Sequence, residues 1–264
     1  MDIEHANQLL QLDNNLHLAP LPANPTEILD IGTGTGIWAI EMADLYPGCN
    51  IKGTDLSPVQ PTWIPPNCSF EVDDFEQDWT FGSNRFDMVH ARFLMGSVKD
   101  HAQLYANVYR ALKPGGWFEI SEMECGTFSD DGSVPENSPS VRWWTLLEEA
   151  FEKLERPILK IDEYPGLFRE AGFVDVQDRL LKRPTNDWPK DPRMKEIGRF
   201  SCLNFLEGLA GFSMAPFTRV LRWSPEEVEV LLAQVRKETT RRKVHGWQKG
   251  VVCLGRKPFD GEVV

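Results

Sequence analysis

The sequence predicts an α/β fold built on a doubly wound, mostly parallel sheet. Three observations carry that expectation. Short apolar runs alternate with helical patterns through the first half of the 264-residue chain. The run Ile28-Leu29-Asp30-Ile31 passes straight into a glycine cluster, the pattern of a buried strand turning into a helix. Hydrophobic residues make up 41% of the chain and charged residues 26%, which supports a packed core rather than disorder.

The elements follow in order. Residues 3–18 carry Ile3, Ala6, Leu9, Leu10 and Leu16 at helical spacing, and Pro20, Pro22 and Pro25 mark the turn after them. Glu27–Ile31 reads as a strand and Gly36–Tyr46 as a helix that Pro47-Gly48 stops. Asn50–Asp55 is a strand, residues 57–67 a proline-rich loop, and Ser69–Val72 and Phe86–Ala91 two more strands. Asp100–Lys113 is an amphipathic helix that ends at Pro114-Gly115-Gly116, and Trp117–Ser121 is a fifth strand. After a polar loop, Ser138 caps a helix that runs from Pro139 to about Leu154. Tyr164–Ala171 is a short helix closed by Gly172, and Phe173–Leu181 is a strand. Helices follow at 192–210 and 225–242, the second opened by the capping box Ser224-Pro225-Glu226-Glu227. Trp247–Leu254 reads as the last strand. No linker marks a boundary, so residues 1–264 read as one domain. Residues 1–125 hold the ligand-binding core with an N-terminal helix over it; residues 126–264 complete the sheet and add a helical cap.

Lys plus Arg number 28 against 40 Asp plus Glu, a net charge of −12. That balance repels phosphate backbones and anionic lipid, so direct nucleic-acid binding and membrane adhesion are not expected. No run reaches the ~18 apolar residues of a spanning helix. The acidic, polar start (Asp2, Glu4, His5) is not a secretory signal. Cys49, Cys68, Cys125, Cys202 and Cys253 are odd in number, widely spaced and free of any CxxC pair. They read as free thiols in a reducing compartment, cytoplasmic or nuclear, and not as a zinc site.

The loop Gly32-Thr33-Gly34-Thr35-Gly36 lets the backbone approach a ligand closely. A dinucleotide fingerprint would place glycine where Ile37 stands. Asp30, just before the loop, repels a pyrophosphate and attracts a cationic head. Asp55 ends the second strand 19 residues beyond Gly36, where a carboxylate accepts both ribose hydroxyls. Asp74 follows the third strand and is placed for an adenine amino group, with Phe75 lining the ring. A nucleoside with a positive charge and an amino acid is S-adenosylmethionine.

The motifs DIGTGTG, GTDLSP, VDDFEQDW, FDMVHARF and LKPGGW stand in that order. In this the chain resembles the class I S-adenosylmethionine-dependent methyltransferases, and in wording the LaeA-like methyltransferases of filamentous fungi. The resemblance covers residues 16–125 well and the remainder loosely. It implies a Rossmann-like, seven-stranded sheet with only the last strand antiparallel. It also implies S-adenosylmethionine as cofactor and S-adenosylhomocysteine as product. Asp30 with Gly32, Thr33, Gly34 and Gly36 would meet the methionine part, and Asp55 the ribose. Leu56, Asp74 and Phe75 would flank the adenine, and His90 would lie near the amino group. Arg92 would reach the methionine carboxylate or the substrate, and Lys113–Gly116 would be structural. The 29 residues before Asp30 are fewer than the family usually carries, so its usual substrate contacts are not carried over.

His90 and Glu122 end adjacent strands on the ligand-binding edge, and His90 is the better candidate for a general base. The bland alternative for His90 is a positioning or core histidine. Glu122 and Glu124 read as loop-edge charges, His101 as a helix-surface residue, and His245 as a residue able to enter the pocket. No metal constellation appears. Trp143, Trp144, Phe200, Phe205 and Phe212 mark the cap as a place for an apolar substrate, with Met214-Ala215-Pro216-Phe217 at its mouth. Arg236–Lys243 reads as the solvated end of a helix rather than a nuclear-localisation or partner patch. The expected reaction is methyl transfer to O, N or C of a hydrophobic small molecule of fungal secondary metabolism. The rivals are a regulator acting through a protein complex and a cyclisation or rearrangement without net methyl transfer.

Overall fold

Four of the five residues of the first strand are buried, as a strand covered on both faces requires. The computed structural model describes residues 2–262. The strands are β1 (Glu27–Ile31), β2 (Asn50–Asp55), β3 (Cys68–Val72), β4 (Phe86–Arg92), β5 (Leu112–Met123), β6 (Val174–Pro184) and β7 (Trp247–Arg256). They form one sheet in the order β3-β2-β1-β4-β5-β7-β6. Neighbours from β3 to β5 are parallel, and β7 runs antiparallel to both β5 and β6. The order reverses between β1 and β4, so a crevice opens beyond their carboxyl ends.

Helices α1 (Ile3–Gln11), α2 (Ile37–Leu45), α3 (His101–Ala111), α4 (Pro139–Lys153), α5 (Tyr164–Glu170), α6 (Pro192–Ala215) and α7 (Pro225–Thr239) surround the sheet. On one face Trp38, Ala39 and Met42 of α2 pack on Ile28, Ile51 and Met88. On the other, Tyr105 and Val108 of α3 and Phe168 of α5 pack on Leu29, Val89 and Phe118. A third apolar cluster joins α4, α6 and α7 through Trp143, Leu147, Leu209 and Leu232. No described helix is long and apolar enough to cross a membrane. All five cysteines are unpaired.

Three elements depart from the sequence expectation in ways that bear on the site. The helix expected over 3–18 stops at Gln11, because Asp13 and Asn14 turn to φ 57° and 63°. Its fully buried side is polar (His5, Asn7, Gln8 and Gln11), while Ile3, Ala6, Leu9 and Leu10 are half-buried. Partners already in place explain this: Asn7 Nδ2 donates to Ser201 Oγ at 3.0 Å and Gln8 Nε2 to Ser121 Oγ at 2.7 Å. The fifth strand is longer than expected, since Leu112 pairs with Phe86 before Lys113–Gly116 bulge out and Trp117 pairs with Met88. The helix expected at 192–210 runs to Ala215 and on through a π-helical turn, Pro216–Val220. The wider turn accommodates a proline that has no N–H to give, and Thr218 Oγ1 donates to the Met214 carbonyl at 2.6 Å. Phe217 is therefore core, not mouth.

Candidate functional site

The site begins with sheet register. Asp30 on β1 lies directly opposite Gly53 on β2 and His90 on β4, and His90 opposite Glu119 on β5. These four positions form a row on one face. Gly53 leaves room at the end of it, where a Cβ would stand 2.8 Å from Thr33 Oγ1. That hydroxyl donates to Asp30 Oδ2 at 2.6 Å, and His90 Nδ1 meets Asp30 Oδ1 at 2.7 Å. A carboxylate only accepts, so Nδ1 carries the proton. The His90 ring stacks on Trp38 with centroids 3.7 Å apart, and burial holds its pKa below the ordinary value against the opposing pull of Asp30. His90 thus supports Asp30 and the loop above it. Glu119 accepts from the Leu18 and Ala19 amides at 2.8 and 2.6 Å and so fixes the segment leading into β1. Burial raises its pKa to about 7.

The loop after β1 is shaped by backbone needs. Gly32 has φ 65°, and any side chain there would collide with Leu94. Gly34 N donates to Asp55 Oδ2 at 2.8 Å, and Ser57 N to Asp55 Oδ1 at 2.9 Å. The carboxylate has about four acceptor directions, so two stay free for a diol. Gly32, Asp55, Leu56, Asp74 and Phe75 line one cavity of about 380 Å³. Sequence reasoning placed these five together, and the structure gathers them. Leu56 is 65% exposed at its rim, whereas Phe75 is 9% exposed against the core. Asp74 is turned partly to its own loop, accepting from Glu76 N at 3.0 Å. This donor set and cradle fit an uncharged ribose and an adenine edge, whereas Asp30, 3% exposed and bonded through both oxygens to Thr33 and His90, does not line this cavity.

Arg92 is half-buried at the end of β4, 3.3 Å from His5 Nδ1 of α1. Burial lowers its pKa from the ordinary value, while Asp30, Glu4 and Asp2 nearby raise it. Glu122 and Glu124 are not loop-edge charges. Glu122 is 2% exposed, accepts from Leu94 N at 2.7 Å, and is pushed to a pKa of about 8 by burial. Glu124 pairs with Lys249 at 3.1 Å. His101 opens α3 with both ring nitrogens buried, not on its surface. His245 pairs with Asp131 at 2.5 Å and packs near Trp188, away from the glycine-loop cavity. Arg236 and Arg242 of the basic stretch pair with Glu229 and Asp187. Among the described residues no cluster of His, Cys, Asp or Glu is gathered for a metal ion.

Sequence reasoning missed Phe93 and the corner beyond it. Phe93 has φ 55°, unusual for an aromatic residue, and lines the glycine-loop cavity. It also lines a second cavity of about 480 Å³, walled by Met95, Trp143, Trp144, Phe205 and Phe212. The cap aromatics were legible; their meeting with the first cavity at Phe93 was not, because nothing local in the sequence sets that φ.

A family model described as a methyltransferase domain matches residues 3–178. Methyltransferase pytC of Aspergillus terreus is 42% identical over 98% of this chain and 80% of its own length. Secondary metabolism regulator LAE1 of Cochliobolus heterostrophus is 39% identical over 98% of this chain and 86% of its own. In fold, the chain is similar to Haemonchus contortus phosphoethanolamine N-methyltransferase 2 in complex with S-adenosyl-L-methionine. The TM-score is 0.55 at 20% identity, over 96% of this chain and 52% of that one. By the span of the family model and the nearly full-length likeness to these relatives, the chain belongs to the methyltransferase-domain family.

Proposed function

We propose that this protein transfers a methyl group from S-adenosylmethionine to O, N or C of a hydrophobic small molecule, leaving S-adenosylhomocysteine. The observation that carries the reading is the pair of cavities that share Phe93, one carboxylate-lined at the glycine loop and one aromatic under the cap. Asp55 holds the ribose, Leu56, Asp74 and Phe75 flank the adenine, and Asp30 with Gly32, Thr33, Gly34 and Gly36 faces the methionine part. Arg92, at the end of β4, would meet its carboxylate. The cofactor supplies an activated methyl group when bound. The chain's own residues orient it, exclude water and hold the acceptor in line, and positioning of that kind is worth ~7–11 kcal/mol of barrier. His90 acts by fixing Asp30 and not as the base.

Incubation with isotope-labelled S-adenosylmethionine and a fungal metabolite extract, followed by mass analysis, tests the reading. A labelled methyl gain supports it. A consumed substrate with a product of unchanged mass points to a rearrangement instead. Asp55→Ala should weaken S-adenosylhomocysteine binding by ~1–3 kcal/mol in a calorimetric titration. Wild-type affinity in that variant would count against the ribose assignment. The likeness to LAE1 favours a second reading, in which the chain regulates secondary metabolism through a protein partner. Co-purification of a stoichiometric partner with no small-molecule turnover would favour it.

A further inference from the structure

The cap supplies one residue to the glycine-loop cavity. Arg156 lines that cavity together with Asp74, Phe75 and Glu76. It follows the end of α4, where Glu155 turns to φ 57° and Arg156 N donates to the Phe151 carbonyl at 3.0 Å. The same helix end is docked on the loop after β4. Gly96 there has φ 74°, and a Cβ on it would stand 2.5 Å from the Phe151 ring. Arg156 Nη2 lies 2.7 Å from Glu76 Oε2, and Nη1 donates to the Ser97 carbonyl. Glu76 and Ser97 line the cavity too. Glu76 is itself held, because its Oε1 accepts from Lys99 N at 2.5 Å. The side chain of Arg156 is 34% exposed, so it is pinned yet accessible to a ligand.

Charge decides what it can do there. The other ionisable side chains lining the cavity are Asp55, Asp74 and Glu76, and an ionised carboxylate only accepts. They suit ribose hydroxyls and the adenine amino group. Adenine also carries ring nitrogens that accept, and a ring nitrogen taken out of water without a donor is costly. Among the described residues lining the cavity, Arg156 is the one cation. A guanidinium spreads its N–H groups in a planar fork, and the contacts to Glu76 and Ser97 do not use them all. We propose that Arg156 donates a hydrogen bond to a ring nitrogen of the cofactor's adenine while Asp74 accepts from its amino group, so that the cap takes part in reading the base. This rests on the placing of S-adenosylmethionine in this cavity and not on methyl transfer itself.

Calorimetric titration of the full chain with S-adenosylhomocysteine and its 1-deaza, 3-deaza and 7-deaza forms tests the proposal. Each deaza form replaces one ring nitrogen by C–H and keeps the shape of the base. The expected result is that at least one of them binds the wild type about tenfold more weakly than S-adenosylhomocysteine does. In Arg156→Met, which keeps an unbranched side chain without the donors, that difference should shrink to about twofold or less. Deaza forms that all bind the wild type as S-adenosylhomocysteine does would overturn the proposal, and that is also the result if the guanidinium only stacks on the ring. Differences that persist unchanged in the variant would overturn it as well. The wild-type series does not depend on the variant folding. If the wild type binds no S-adenosylhomocysteine, the placing of the cofactor fails and this proposal with it. Binding without a loss in the deaza series sinks this proposal alone. A loss that Arg156→Met removes, with no labelled methyl gain in the turnover assay, sinks only the methyl-transfer reading.

Discussion

Asp30 and His90 show how one pair of side chains ties fold to chemistry. Their register across β1 and β4 brings them together, Trp38 closes one side of the imidazole, and Thr33 takes the second carboxylate oxygen. His90→Ala removes the ring and leaves a buried carboxylate short of a partner. We expect a loss of about 2–4 kcal/mol in urea-induced unfolding. Turnover per folded molecule should fall less than about tenfold, because a positioning residue is not the proton acceptor. A fall of ~10²–10⁴ would instead mark a general base. At this scale the sequence was legible where chemistry sits at a strand end next to glycines, as for Asp30 and Asp55. It was not legible for Glu4 and Arg183, which lie 179 residues apart and meet only because β6 returns beneath α1.

The element with the most to do is α1. Asp2 caps it by accepting from Glu4 N at 3.1 Å, and its other oxygen accepts from Thr35 Oγ1 at 3.1 Å. The helix is thereby pinned to the glycine loop at one end and to α6 and β5 through Asn7 and Gln8. Asp2→Ala should cost about 0.5–2 kcal/mol locally. Hydrogen exchange read by mass spectrometry should quicken across 3–11, while β1 and β4 keep their protection. Equal quickening in the central strands would show that α1 is part of the global folding unit. Helical periodicity predicts this element but not which side of it is buried. The polar side turns inward because the neighbours of α1 are Ser201, Ser121 and Arg183, which sequence spacing cannot supply.

Across the whole molecule, two buried carboxyls set a slope of stability against pH. Burial raises Glu119 to about 7 and Glu122 to about 8, from an ordinary value of 4.5. Below the ordinary value both folded and unfolded chains hold these protons. Above it the unfolded chain releases them while the folded chain keeps them, so the contribution of these two groups to stability falls as pH rises from about 5 to about 8. Glu122→Gln removes one of the two groups. Its urea midpoint should decline less than that of wild type over this window, with a difference of at least ~1 kcal/mol. Parallel curves for the two proteins would mean that Glu122 is not protonated in the folded state.

The sequence by itself determined the strand-helix alternation, the glycine loop, the carboxylates at the ends of β1 and β2, and the presence of an aromatic cap. Those signals are local: periodicity, turn chemistry and the spacing of a few residues act within a dozen positions of each other. The tertiary structure alone decided that Phe93 parts two cavities, that Glu122 is buried, that α1 faces inward with amides, and that Glu4 meets Arg183. Each of these depends on which distant segments the sheet order brings together, and contact between segments far apart in the chain leaves no trace in either one alone.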